Sequence, residues 1–348
     1  PVLITGYAGR NEHASEAIDA LAQFAGIAVY EANMTNNVSH DSPCFVGFAP
    51  DKAVPTADVG VLVDVDVPWF PSDVQTHEKS FWAHIDIDTL KPGSPMWTFP
   101  GNLRMQGDSG RILEQVLEDL KAKATPKFKK AAAARLERIK GLREERIARA
   151  AKLAADKGKS GAINPHYLMA ELGKVLDDDA IIFNEGVTNA GAVLMQIPRK
   201  RPNTTMRSGG GGLGWSGAFA LGAKLAAPDR LMVQISGDGG FYFGNPSSVF
   251  AVSQQYKLPF FSIVLDNTGW NAVKQSTLRV YPEGEAKGAS EFEAKLAPKV
   301  EFTKVAEAFG AYGEEISNPA DVPAAIQRCL KEVRNGRTAL LHARVTKM

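Results

Sequence analysis

The chain has 348 residues, with 40 Lys+Arg against 39 Asp+Glu, 44% hydrophobic and 23% charged. Near-neutral charge gives no overall field to draw in nucleic acid or an anionic membrane, and no apolar run nears the roughly 18 residues of a membrane span. The length suits two domains, and two cysteines, Cys44 and Cys329, are too few for a disulfide framework and point to a reducing, cytoplasmic setting.

Residue 1 is Pro, and Val2-Leu3-Ile4 already reads as a buried strand with no signal peptide or polar lead-in. The expectation is a chain that begins at a domain edge, with a further segment before it or on another chain. Strands are predicted at Val2–Thr5, Ile27–Tyr30, Val59–Val65 and Phe81–Ile87, with helices at Glu12–Phe24 and Arg111–Leu120. Such alternation predicts a parallel sheet covered by helices on both faces. Residues 118–160 change character, rich in Lys, Arg, Ala and Glu, as in Lys127-Phe-Lys-Lys130 and Arg143-Glu-Glu-Arg146. They predict a charged helical connector with a solvated surface.

A second α/β pattern follows. Helices are predicted at Pro165–Leu176, Gly217–Ala227, Ser247–Tyr256, Phe302–Phe309 and Val322–Arg334. Strands are predicted at Ala180–Phe183, Leu231–Ser236, Phe260–Leu265 and Thr338–Val345. The fold class is therefore α/β, two doubly wound parallel-sheet domains: 1–117, a connector at 118–160, and 161–348.

Several motif matches fail. Gly158-Lys159-Ser160 ends like a phosphate loop, but Leu153 stands where the first glycine belongs and no strand precedes it. Gly6-Tyr-Ala-Gly9, with Glu31 after the second strand, imitates a dinucleotide turn but is G-x-x-G. The six histidines show no paired metal spacing, and Gly214-Trp-Ser216-Gly217 is not a nucleophile elbow.

The informative stretch is Leu231-Met-Val-Gln-Ile-Ser-Gly237-Asp238-Gly239-Gly240, followed by Phe260-Phe-Ser-Ile-Val-Leu265-Asp266-Asn267-Thr268-Gly269-Trp270. Two apolar strands each end in a polar cluster, at the carboxyl edge where an open parallel sheet binds ligands. Asp238 offers an anionic oxygen, Asn267 an amide oxygen and Gly269 a main-chain carbonyl. With two phosphate oxygens and a water, these complete an octahedral Mg²⁺. Gly237, Gly239 and Gly240 let the backbone approach a diphosphate, and Asn245-Pro-Ser247 opens a helix whose positive end favours phosphate.

This combination resembles the thiamine diphosphate-dependent enzymes of the acetolactate synthase and 2-oxo acid decarboxylase superfamily, whose signature is G-D-G followed by an N-N or D-N pair. The resemblance covers the whole chain. Pro1-Val-Leu-Ile-Thr-Gly6, Ala57–Val63 and His84-Ile-Asp-Ile-Asp88 look like the Rossmann-like central domain; residues 161–348, with Gly209-Gly-Gly-Gly-Leu213-Gly-Trp215, look like the diphosphate-binding domain.

The resemblance implies thiamine diphosphate with Mg²⁺ held by Asp238, Asn267 and the Gly269 carbonyl. Gly239 and Gly240 would contact the diphosphate, and Glu185, Gly186 and Val187 would line the cofactor. The Gly211 carbonyl would face the pyrimidine amino group, and Leu213 would be the wedge that bends the cofactor. Trp270 reads equally as pocket wall or as packing. The implied activity is C–C bond cleavage or ligation on a 2-oxo acid or related small carbonyl substrate.

Departures qualify this. The family's activating glutamate sits on a pyrimidine-binding domain not found in these residues, so no catalytic acid or base is assigned; a partner domain or subunit and a homo- or hetero-oligomer are expected. Asp238 and Asn267 are 29 residues apart, slightly more than usual, and Gly240 stands where Ser is commoner. Ala272-Val-Lys-Gln-Ser276 lacks the Met and Trp of acetolactate synthases. Asn184–Asn189 and Pro198-Arg-Lys-Arg201 resemble instead the oxalyl-CoA decarboxylase and 2-hydroxyacyl-CoA lyase branch. Arg199, Lys200 and Arg201 read as nucleotide-phosphate ligands or as an exposed basic loop. Flavin has no motif, and a non-catalytic protein retaining the fold is the remaining alternative.

Overall fold

The computed structural model describes residues 1–32, 35–94, 99–208, 211–288, 294–296 and 300–347. The chain forms two compact units, Pro1–Arg149 with Arg199–Met206, and Ala150–Pro198 with Arg207–Met348. Among the described residues no helix is long and apolar enough to cross a membrane.

In the first unit the order is β1 (Val2–Thr5), α1 (Glu12–Ala25), β2 (Ala28–Glu31), β3 (Phe45–Gly47), β4 (Val59–Val63), β5 (Phe81–Asp86), β6 (Leu103–Gln106) and α2 (Ser109–Lys123). Its sheet runs β3-β2-β1-β4-β5-β6, all parallel. Both faces are covered, which is why β1 reads as an unbroken apolar run. Leu3, Ile18, Leu21, Phe45 and Leu113 share one core, and Ile4, Leu62, Trp69 and Trp82 share the other. The helix α1 starts where the Asn11 side chain accepts the His13 N–H (3.1 Å) and stops at Gly26, left-handed at φ 65°.

The Gly6–Gly9 turn is sealed by its own chain. Asn37 Oδ1 accepts the Gly9 N–H at 2.9 Å, and a Cβ on Gly9 would lie 2.3 Å from the Asn36 carbonyl oxygen. Glu31, at the position a ribose would need, accepts the Asn37 and Val38 N–H groups at 2.5 and 3.0 Å and lies 3.1 Å from His40. The turn joins strand to helix and leaves no room for a pyrophosphate.

The long helix α3 (Pro126–Ala155) begins in this unit, so the predicted connector belongs to it as far as Arg149. Only Ala132 and Ile139 of α3 are buried. Two of its arginines have intramolecular partners: Arg135 donates to the Ala25 and Gly26 carbonyls at the end of α1, and Arg146 lies over the Phe45 ring.

In the second unit a hairpin of β7 (Gly158–Lys159) and β8 (Ala162–Ile163) holds the rejected phosphate-loop match. Then come α4 (Pro165–Gly173), β9 (Ile181–Glu185) and α5 (Ala190–Gln196). The short β10 (Thr205–Met206) lies in the stretch that belongs to the first unit, where the Asn36 side chain bonds Arg201, Thr204 and Thr205 backbone groups at 2.6–2.8 Å. Arg199 there is 2% exposed, with Nε on Thr204 Oγ1 at 3.1 Å, so the predicted loop exposes only Lys200 and Arg201 as cations.

The chain continues with α6 (Ser216–Ala226), β11 (Met232–Gly237), α7 (Asp238–Phe243), α8 (Pro246–Tyr256), β12 (Phe261–Asp266) and α9 (Asn271–Val280). It ends with α10 (Phe302–Glu307), β13 (Tyr312–Ile316), α11 (Val322–Arg334) and β14 (Ala339–Arg344). Within the unit the strands lie in the order β9-β11-β12-β14-β13, all parallel. Ile182, Val233, Ile235, Ile263 and Leu341 pack with Leu168 of α4 and Ile326 and Leu330 of α11. The sequence missed β3, β6, α5, α7, α9 and β13, and the two-residue strands β7, β8 and β10.

Candidate functional site

Register brings three strand ends together. Ser236 pairs with Glu185 on one side and Val264 on the other, and Gly237 pairs with Leu265. Residues 185–187, 237–240 and 266–269 therefore meet at one edge of the sheet. Two β-branched residues there have left-handed backbones, Val187 at φ 48° and Thr268 at φ 65°; such strain concentrates where a chain presents functional groups.

Asp238 and Asn267, 3% and 7% exposed, converge. Asp238 Oδ2 and Asn267 Oδ1 accept the same Gly269 N–H, at 2.9 and 3.2 Å. Asp238 Oδ1 also accepts the Gly239 N–H at 2.9 Å. Behind it stands Asp266, which the sequence reading left without a role. Its Oδ2 is bonded to His342 Nε2 (2.8 Å) and by Arg344, and its Oδ1 accepts the Thr268 N–H at 2.8 Å. His342 and Arg344 are two apart on β14, hence on one face. That alternation was the only sequence signal for them.

The two carboxyls divide their protons unequally. Burial, and then the neighbouring Asp266 charge, push Asp238 up to about 7. Burial would raise Asp266 as well, but His342, the Thr268 N–H and Arg344 outweigh it and hold Asp266 below the usual carboxylate range. A clustered carboxylate, amide oxygen and nearby main-chain carbonyl are the hard oxygen donors that fit a divalent cation.

The glycines are required by close approach. A Cβ on Gly239 would lie 2.3 Å from the Trp270 ring, and one on Gly240 would lie 2.7 Å from Ser236 Oγ. Trp270 packs against Gly239 and edge-on to Phe243, with ring centroids 5.4 Å apart. It also borders a shallow depression with Asn267 and Gly269, so it is packing and wall at once. Around Gly237 the space is open. Asn245, before α8, is left-handed at φ 45° and its side chain caps nothing.

Glu185 is 3% exposed. Its carboxylate accepts the Gly214 N–H, the Ser216 N–H (3.1 Å) and the Ser216 hydroxyl. It anchors the turn that carries Leu213, a duty the sequence did not reveal. Gly186 donates its N–H to Asn184 Oδ1 at 3.2 Å. Glu185, Val187, Gly211 and Leu213 line one cleft of about 190 Å³, together with Arg207 and Trp215. A Cβ on Gly211 would meet no described atom within 4 Å, and Gly209 and Gly210 lie outside the described residues.

Residues 186–343 match the family described as Thiamine pyrophosphate enzyme, C-terminal TPP binding domain. Acetolactate synthase isozyme 3 large subunit of Escherichia coli (strain K12) is 26% identical over 264 residues, 75% of this chain and 43% of that protein. Probable acetolactate synthase large subunit of Methanocaldococcus jannaschii is 27% identical over 356 aligned positions, 95% of this chain and 55% of that protein. 2-hydroxyacyl-CoA lyase 2 of Caenorhabditis elegans is 26% identical over 276 residues, 78% of this chain and 38% of that protein. The chain thus spans about half the length of the curated relatives it matches. Among solved structures, a Rhodococcus jostii RHA1 thiamine diphosphate-dependent 4-hydroxybenzoylformate decarboxylase is similar with TM-score 0.76 and 20% identity, covering 100% of this chain and 62% of that one. At that identity the likeness shows the fold.

Proposed function

Because the chain belongs to the thiamine diphosphate-dependent superfamily of acetolactate synthases and 2-oxo acid decarboxylases, we propose that it uses thiamine diphosphate and Mg²⁺ to cleave or join a C–C bond beside a carbonyl. One observation carries this reading: Asp238 Oδ2 and Asn267 Oδ1 converge on a single N–H at the mouth of two neighbouring strands. Asp238, Asn267 and the Gly269 carbonyl would hold Mg²⁺, and Gly239 and Gly240 would admit the diphosphate. When bound, the cofactor supplies an electron sink for the pair released as the C–C bond breaks.

The chain's own residues bind and orient. Glu185 fixes the Gly214–Ser216 turn and so presents Leu213 and the Gly211 carbonyl to the pyrimidine side. Trp270, braced by the Phe243 ring, covers Gly239 and keeps water from the diphosphate turn. In this reading residues 161–348 are the diphosphate-binding domain, 1–117 the central domain and 118–160 the connector. A pyrimidine-binding domain or subunit brings the activating glutamate. Phe219, Leu225, Phe243 and Tyr256 of the second unit are exposed apolar side chains available to such a partner. A cytoplasmic setting rests on Cys44 and Cys329, both buried and unpaired.

Titration calorimetry tests the reading. Thiamine diphosphate binds the chain only with Mg²⁺, and Asp238→Ala abolishes binding; unchanged affinity in that variant overturns the proposal. The similarity to a 2-hydroxyacyl-CoA lyase over 276 residues favours a second reading on acyl-CoA substrates. Covalent cofactor adducts from CoA thioesters and none from pyruvate, in a complex with the pyrimidine-binding partner, would select it.

A further inference from the structure

Arg207 is an oddity beside the site. It lines the cleft shared by Asn184, Glu185, Val187 and Leu213. Among the described residues it has no ion-pair or hydrogen-bond partner, whereas Arg344 at the end of β14 is bonded to both Asp266 and Glu315. Glu185, the carboxylate on the same cleft, has its oxygens engaged by Gly214 and Ser216. Burial alone lowers the pKa of Arg207, yet a guanidinium stays protonated across the physiological range. A half-buried cation without a counter-charge is costly to fold around, and the cost falls when an anion enters.

We propose that Arg207 binds a carboxylate of the substrate remote from the reacting carbonyl, so that the substrate is a 2-oxo acid carrying a second acid group. The guanidinium fork matches a carboxylate bidentately. The position of that carboxylate follows from energetics. A guanidinium paired to the carboxylate that departs as CO₂ would stabilise the ground state and oppose its loss. Pairing to a non-reacting carboxylate leaves the barrier unaffected and anchors the substrate beside Leu213. The assignment deepens the proposed function and rests on it, since the cleft is a substrate site only if Leu213 and Gly211 border the cofactor.

The test uses the full chain, first titrated with thiamine diphosphate and Mg²⁺. The loaded protein is then titrated calorimetrically with 2-oxoglutarate and with 2-oxohexanoate, whose tail is uncharged. Wild type is expected to bind 2-oxoglutarate at least tenfold more tightly. Arg207→Met should erase that preference at unchanged thiamine diphosphate affinity, and Arg207→Lys should keep part of it. Absence of preference in wild type, failure to bind either acid, or preference surviving Arg207→Met overturns the assignment. So does loss of thiamine diphosphate affinity in Arg207→Met, which would place the guanidinium on the cofactor instead. Failure of wild type to bind thiamine diphosphate refutes the proposed function itself, so the two failures are told apart at the first titration.

Discussion

Replacing Gly239 by Ala puts two effects in opposition. The residue sits in α7 without a positive φ, so the backbone accepts alanine, and helix propensity alone would favour it by up to about 1 kcal/mol. Against that, the new Cβ would lie 2.3, 2.6 and 2.9 Å from three carbons of the Trp270 ring. These are impossible contacts, and overpacking of this kind costs about 1–3 kcal/mol as the ring is driven off. The net expectation is destabilisation of about 0–2 kcal/mol. In a Trp270→Ala background the obstruction is gone and only the propensity gain remains, so Gly239→Ala should change sign and stabilise. Urea unfolding of the four proteins of this cycle, followed by circular dichroism, yields a coupling energy of about 1–3 kcal/mol. Equal effects of Gly239→Ala in the two backgrounds would refute the claim that Trp270 seals this turn.

Three further outcomes follow from the geometry. In the first unit, burial would raise Asp86, but His84, the Asp88 N–H and Lys91 (2.7 Å) outweigh it and hold its carboxyl at about 2. A depressed folded pKa contributes stability above the unfolded value near 4 and loses it as pH falls towards 2. Urea titrations should therefore show wild type losing up to about 2 kcal/mol more than Asp86→Asn across that window, and equal losses in the two proteins would refute the pairing. Glu185→Gln sets an amide N–H₂ against donors on the Gly214–Ser216 turn; about 3 kcal/mol of stability should be lost, with faster amide exchange at Gly214 and Ser216, and normal protection there would sink the anchoring role. Val187 is 43% exposed and left-handed at φ 48°, so Val187→Gly removes strain with little packing loss; the melting temperature should rise, by about 1 kcal/mol of stability, and a fall counts against strain at this position.

What could be read without coordinates was whatever is repeated along the chain. The strands β1, β9, β11, β12 and β14 are buried on both faces, so each is a continuous apolar run that local inspection finds. The G-D-G and D-N clusters follow two of those runs directly, which is why Asp238, Asn267 and Gly269 were legible as one donor set. Elements that bury little left no such trace: α9 has no buried residue, β6 is largely exposed, and the glycines of α7 have low helix propensity. Only the folded chain decided the rest. That Glu185 anchors a turn almost thirty residues away, that Asp266 is paired with His342 and Arg344 from the last strand, that Gly9 is roofed by Asn36, and that Arg207 has no counter-charge among the described residues all depend on groups far apart in sequence. Electrostatic pairing and close contact act through space, and the order of residues along the chain records neither until the sheet brings its strand ends together.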